Sequence, residues 1–297
     1  MKYGFIDRYR RQFHLSAMCR VLHVSCSGFY EWQGRAPSAH TIANRQLLGH
    51  ICRVHEQARQ AYGAVKTWKA LNQAGIACGK NRIARLRSEA GIEAQRKRRF
   101  RITVEHRKLP QAAPDRIERH FHASQPNLAW VGDMTFVRTR AGWLCLAILL
   151  DLYSRRIVGW AMGNRPNEAL TLGALNMAIE HRTPKPGLIH HTDQGGIYRS
   201  NRYRERMDSV GILPSMGSKG TAYDNAVAES FFSNLKNELI HHSDFLNRES
   251  ARVAIFSYIE LFYNRQRIHQ TLGYVSPVAF EESNSGNQRG QTRLIYE

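Results

Sequence analysis

Apolar residues recur along this chain with two different rhythms, and the change falls near residue 125. Upstream the spacing is helical. In LSAMCRVLHVSCSGFYEW (15–32) it predicts a helix to about Leu22 and a second helix starting near Ser27, with Ser25 and Ser27 as candidate N-caps. Two short helices and a sharp turn fit a helix-turn-helix, an arrangement too common to carry weight alone. RAPSAH (35–40) reads as a linker, and residues 41–59 as a helix. YGAVKTWKALNQAG, a turn at Gly75 and ACGKNRIARLRSEAGI then give a stronger helix-turn-helix candidate. In its second helix Ile83 and Leu86, with Ile92 beyond, anchor to a core, while Lys80, Arg82, Arg85 and Arg87 supply charge.

Downstream the pattern is that of an α/β sheet. NLAWVGDMTFVRT (127–139) predicts a strand, and WLCLAILLDLYS (143–154) is apolar enough for a strand buried on both faces. RRIVGWAMG (155–163) predicts a third strand and residues 167–182 a helix. GLIHHTD (187–193) is a short strand, 199–209 a helix, and GILPSM (211–216) another strand. A Gly/Ser-rich loop, MGSKGTAYD (216–224), leads into a long helix from about Tyr223 to Ile240, with Asp224 as its N-cap. Ala228, Phe231, Leu235 and Leu239 form its core stripe. A last helix occupies about 247–263, and SNSGNQRGQTRLIYE reads as a loose polar tail. Three adjacent strands followed by alternating helix and strand make a mixed sheet, and the chain has room for two or three modules.

Charge adds a partner to this picture. The formal net charge is +19, and it is lopsided: residues 1–124 hold 24 Lys and Arg against 8 Asp and Glu, the rest 19 against 16. A basic front half grips a polyanion, and nucleic acid fits better than an anionic membrane because no lipid-facing amphipathic helix is evident. Arg96, Lys97, Arg98, Arg99 and Arg101 form a run suited to tracking phosphates or to a solvated connector. No apolar run would span a membrane and the polar N-terminus is no signal peptide, which points to the cytoplasm. The five cysteines show no zinc-ligand spacing and read as reduced thiols.

Three carboxylates carry the candidate chemistry. Asp133 sits mid-strand between Trp130 and Phe136, where an unpaired charge is costly. Asp193 ends a short strand before Gln-Gly-Gly, and Glu229 lies in the long helix. Such groups can converge at a sheet edge, where Mg²⁺ makes their mutual repulsion tolerable. Two such ions stabilise the attacking and leaving oxygens of an in-line phosphoryl displacement. Lys236, seven residues after Glu229, returns to the same helix face, and Asn225 lies one turn before it. Both are candidate phosphate contacts, although a solvated helix face would look the same. Asp151 reads as structural, and of His190 and His191 at most one can face the site.

WVGDMTFVRTRAGWLCLAILLDLYSRRIVGW, LIHHTDQGGIY and SMGSKGTAYDNAVAESFFSNLKNEL resemble the three acidic motifs of the insertion sequence 3 family of bacterial transposases. Thirty-five residues separate Asp193 from Glu229, as in the retroviral-integrase superfamily, and IELFYNRQRIHQTLGYVSPVAF (259–280) resembles the family's C-terminal signature. The resemblance implies a ribonuclease-H-like core and a division into a helix-turn-helix-like segment at 1–35 and an integrase-type helix-turn-helix at 36–95. A basic linker (96–124), the catalytic core (125–240), a helical segment (241–282) and a loose tail (283–297) follow. It implies a DDE-type enzyme with Asp133, Asp193 and Glu229 as catalytic metal ligands for two Mg²⁺ ions, with Mn²⁺ able to substitute. The expected reaction is cleavage at element ends and transfer of the 3′-hydroxyl strand in transposition and integration. The expected partners are terminal inverted repeats, target DNA, and an upstream-frame protein or its frameshift fusion. The chain is expected to oligomerise on DNA at the bacterial nucleoid. The alternative from another class is a non-catalytic DNA-binding regulator or scaffold.

Overall fold

A computed structural model describes residues 2–95, 113–118, 121–217 and 226–293. The chain forms two compact units, Met1–Cys52 and Arg53–Glu297. In the first, helices α1 (Lys2–Tyr9), α2 (Leu15–Val21) and α3 (Cys26–Gly34) enclose Ile6, Met18, Cys19 and Phe29. The Ser25 hydroxyl accepts from the Gly28 N–H at 3.0 Å and starts α3. Ser27, the other candidate cap, lies inside that helix. Helix α4 (Ala39–Gln57) passes from this unit into the second.

The second unit begins with the basic helix pair α5 (Ala64–Gln73) and α6 (Lys80–Glu89). Gly75 takes the turn between them at φ +79°, where a side chain would be strained. The Trp68 indole N–H donates to the Cys78 carbonyl at 2.8 Å and fixes the following loop. Leu71, Ile83 and Leu86 are buried, as the apolar spacing of the two helices predicts.

The five-stranded sheet comprises β1 (Ala129–Thr139), β2 (Gly142–Asp151), β3 (Ile157–Gly163), β4 (Ile189–Thr192) and β5 (Leu213–Met216). Its order is β3-β2-β1-β4-β5, with β1–β2 and β2–β3 antiparallel and β1–β4 and β4–β5 parallel. Helix α7 (Glu168–Arg182) makes the crossover from β3 to β4, and α8 (Asn201–Asp208) that from β4 to β5. Strand β2 is buried on both faces. Leu144, Leu146, Ile148 and Leu150 meet the C-terminal helices, while Cys145, Ala147 and Leu149 meet α7 and its neighbours. Gly159 on β3 lets α7 approach closely, because a Cβ there would lie 2.7 Å from the Ala178 side chain.

Helices α9 (Ala226–Glu238) and α10 (Arg248–Phe256) follow the sheet. Ala228, Phe231, Leu235 and Leu239 are buried in the cluster beneath them, with Phe232 alongside. A wider π-helical turn continues α10 through Ser257–Tyr263. Helix α11 (Pro277–Arg293) runs into the segment that composition reads as loose. Its start is anchored: Glu281 accepts from Ser154 (2.7 Å), Arg156 (2.8 Å) and Arg182 (2.8 and 2.9 Å). No proline follows Pro277 to end the helix.

Asp151 belongs to the same network. It accepts from the main-chain N–H groups of Asn127 and Tyr153, each at 2.8 Å, and faces Arg182 at 3.4 Å. Asn264 clamps β3 by accepting from the Ile157 N–H and donating to its carbonyl. Among the described residues no helix is long and apolar enough to cross a membrane, and all five cysteines are free thiols.

Candidate active site

Asp133 and Asp193 are placed by one ladder. Strands β1 and β4 run parallel with Gly132 opposite Thr192; Asp133 is the next residue of β1 and Asp193 the first residue after β4. Neighbouring strands lie about 4.8 Å apart, so the aspartate backbones stand side by side where β4 ends. β1 continues past this point, with Asp133 paired to Ile148 of β2. By strand alternation Asp133 shares a face with Val131 and Val137, the face covered by α9 and the C-terminal helices. Glu229 and Lys236 lie on α9.

The charges of these groups act on one another. Burial pushes the Asp133 carboxyl up to about 7, and the charges of Asp193 and Glu229 push in the same direction. The Met134 N–H, donating at 2.7 Å, and the Lys236 ammonium pull against that shift without cancelling it. Glu229 is also raised, by partial loss of solvent around its carboxyl. Among the described residues none of the three carboxylates has an ion-pair partner, and no three His, Cys, Asp or Glu side chains are gathered closely enough to hold a metal ion. Asp193 and Glu229 remain exposed. Carboxylate oxygens are hard donors of the kind Mg²⁺ takes, unlike the sulfur and nitrogen donors of a structural zinc.

The turn after β4 holds Asp193 in place. Its Oδ1 accepts from the Gly195 N–H at 3.0 Å. Gln194 donates to the Gly217 carbonyl at 2.8 Å and accepts from Arg199 at 2.9 Å, tying the turn to the end of β5. His190 and His191 point to opposite faces, as strand geometry requires. His190 shares a 2.8 Å hydrogen bond with the Tyr203 hydroxyl, and His191 a 2.9 Å bond with Ser215. Gln194, Arg199, Tyr198 and Tyr203 escaped the sequence reading. The only available signal was their place in and after LIHHTDQGGIY.

The basic helix α6 divides its cations. Lys80 and Arg85 are exposed, with Arg85 bonded to Glu89 at 3.1 Å, and Arg82 is half-buried. Arg87 departs from the expectation that it is a DNA contact. It is buried, and its guanidinium donates to the equally buried Thr67 of α5 at 3.2 Å, so it locks the helix pair instead of facing DNA. Asn225, the Asp224 cap and the run Arg96, Lys97, Arg98, Arg99 and Arg101 lie outside the described residues.

Comparison with known proteins gives this geometry a family. Integrase core domains match residues 123–222 and 229–284, and an HTH-like domain matches 42–100. The chain is 42% identical to the "Insertion element IS600 uncharacterized 31 kDa protein" of Shigella sonnei, over 89% of this chain and 97% of that one. It is 38% identical to "Transposase InsF for insertion sequence IS3A" of Escherichia coli (strain K12), over 96% and 99%. Among solved structures, the HTLV-2 integrase catalytic core domain in complex with magnesium aligns at 18% identity, covering 53% of this chain and 98% of that one, with a TM-score of 0.42. The catalytic core domain of BIV integrase aligns at 14% identity, covering 55% and 99%, with a TM-score of 0.41. The mixed five-stranded sheet is thus a ribonuclease-H-like integrase core preceded by a helix-turn-helix-like region, and the chain belongs to the insertion sequence 3 family of transposases.

Proposed function

We propose that this transposase cleaves the DNA ends of its element and transfers the exposed 3′-hydroxyl strand, with Asp133, Asp193 and Glu229 as the divalent-ion ligands. The observation that supports this most is the Asp133 carboxyl, buried and pushed up further by the charges of Asp193 and Glu229. Three carboxylates fit two Mg²⁺ ions, for which Mn²⁺ can substitute. When bound, these ions supply Lewis-acid stabilisation of the attacking and leaving oxygens.

The protein groups have separate tasks in this scheme. Asp133, held in the sheet, fixes the reaction centre. Asp193 and Glu229 close on it from a turn and a helix. Lys236, near enough to act on Asp133, offers its ammonium to a DNA phosphate. In cleavage a water oxygen bonds to phosphorus as the P–O3′ bond breaks, leaving a 3′-hydroxyl and a 5′-phosphate. In transfer that hydroxyl attacks a second phosphodiester and expels its 3′-oxygen. Lys80, Arg82 and Arg85 of α6 are the proposed DNA contacts of the helix-turn-helix region. The terminal inverted repeats and target DNA are the proposed substrates. The upstream-frame product, or its fusion to this chain, is the proposed partner in a homo-oligomeric complex.

The test is cleavage and joining of a labelled element end in Mg²⁺, with the upstream-frame product supplied, comparing wild type with Glu229→Gln. Wild type is expected to yield nicked and joined strands and the variant neither. Equal activity in both would remove Glu229 from the site. DNA binding without cleavage by wild type would favour a regulator or scaffold.

A further inference from the structure

The stretch QRIHQTLGY (266–274) belongs to the C-terminal signature and has no task in this scheme. It lies between the π-helical turn and α11, and it is gripped from two sides. On one side stands the helix pair α5–α6. Tyr62, just before α5, accepts at its hydroxyl from the Ile268 N–H at 2.8 Å and donates to the Gln266 carbonyl at 3.4 Å. Gln73, the last residue of α5, donates to the Tyr274 carbonyl at 3.0 Å, and the Lys69 ammonium lies 5.4 Å from the centre of the Tyr274 ring. Ala58, Tyr62 and Ile268 form a small buried cluster, with Ala70 and Tyr274 packed against it.

On the other side stands α9. Arg267, between the two residues that Tyr62 holds, donates to both carboxylate oxygens of Glu238 at 2.7 to 3.1 Å. Glu238 is the last residue of the helix that bears Glu229 and Lys236. Within the helix pair, Arg87 and Thr67 lock α6 to α5. Rigid helices and directional hydrogen bonds therefore lead from the basic helix α6 through α5, Tyr62 and Arg267 to the end of α9. Phenylalanine at position 62 would fill the same apolar cluster. What the hydroxyl adds is a fixed register between α5 and the main chain of residues 266–268.

We infer that Tyr62 is a positioning residue, which sets how far along the DNA the cut phosphodiester lies from the sequence held by α6. This rests on the reading of α6 as a DNA contact and of the carboxylates as the reaction centre. Successive phosphates of one strand lie about 3.4 Å apart along the duplex. A helix pair free to slide by that much presents a different phosphate to the site. The bracket at 266–274 prevents the slide, so recognition and cleavage keep a constant spacing.

The experiment maps the cut position on a labelled element end at single-nucleotide resolution, in Mg²⁺ and with the upstream-frame product supplied. Affinity for the same DNA and thermal unfolding are measured beside it. Wild type is expected to cut at one phosphate. For Tyr62→Phe the expected result is unchanged DNA affinity, with strands ending at neighbouring phosphates more abundant by about tenfold or more. Gln73→Ala, at an exposed position whose loss leaves the core intact, is expected to shift the cut in the same way to a smaller degree. Cutting by Tyr62→Phe at the wild-type phosphate alone would overturn the inference, whatever its melting temperature, because the hydroxyl would then serve stability only. If Tyr62→Phe does not fold, an unshifted cut by Gln73→Ala overturns it. Wild type that binds the end without cutting removes the catalytic reading and the inference with it. Wild type that cuts at one phosphate, with both variants cutting there too, removes only the role of Tyr62.

Discussion

Gly132 of β1 stands directly opposite Thr192 of β4, and that pairing alone sets Asp133 and Asp193 next to each other. A Cβ on Gly132 would lie 2.7 Å from the His190 ring and 3.3 Å from Thr192 Cγ2, so the ladder closes tightly just behind the carboxylates. The repulsion between them follows from backbone register and is not relieved by any ion pair among the described residues.

The first prediction concerns pH. With its carboxyl raised from 3.8 to about 7, folded Asp133 keeps a proton that the unfolded chain has already released. Its contribution to stability is therefore greatest below about pH 4 and is lost as pH rises toward 7. Asp133→Asn removes this slope, and above pH 7 the ion-free variant is expected to be more stable, by on the order of 2 kcal/mol. Urea titrations at pH 5 and pH 8 in a chelator measure it. Strand cleavage by the variant should fall roughly a thousandfold or more.

The second concerns Arg267 and Glu238, which meet through several hydrogen bonds at the end of α9, with Tyr258 also donating to Glu238 at 2.7 Å. Both side chains are buried. Arg267→Met strands the carboxylate, and unfolding free energy should drop by about 3–5 kcal/mol. Adding Glu238→Gln should restore part of that loss. A single variant as stable as wild type would show that the pair contributes nothing.

Gly159→Ala tests the packing of α7 without touching the chemistry. The new Cβ would collide with the Ala174 carbonyl and crowd Ala178. The expected cost is about 3 kcal/mol. The protein that remains folded should bind Mn²⁺ as wild type does.

Asp151 separates structure from chemistry. Asp151→Ala orphans the Asn127 and Tyr153 N–H groups and leaves Arg182 with one carboxylate partner, Glu281, instead of two. It should destabilise the fold by roughly 3 kcal/mol. Mn²⁺ affinity measured below the unfolding transition should not change. A selective loss of ion binding would move Asp151 into the active site.

Much of this was legible in the chain because the decisive features are local. The apolar run of β2 shows burial on both faces, and the stripe of α9 identifies its inward side. Asp133 stood out because a charge mid-strand is expensive. What stayed hidden depends on long-range pairing. Nothing near Arg87 shows that Thr67 sits beneath it, and nothing near Glu281 shows that two arginines, one just before β3 and one at the end of α7, will fasten α11. The hydroxyl of Tyr198 looks like any tyrosine's until the fold encloses it with no partner among the described residues.

The end of β4 also decides what kind of grip the site has. Asp133 is hydrogen-bonded into a strand that continues beyond it, like the fixed jaw of a vice. Asp193 is gripped by the Gly195 N–H in a turn that Gln194 ties to the end of β5, and Glu229 is borne on a helix, so three separate pieces of backbone act as the jaws. In the function proposed above, such a vice keeps its coordinates while the DNA oxygens inside it are exchanged.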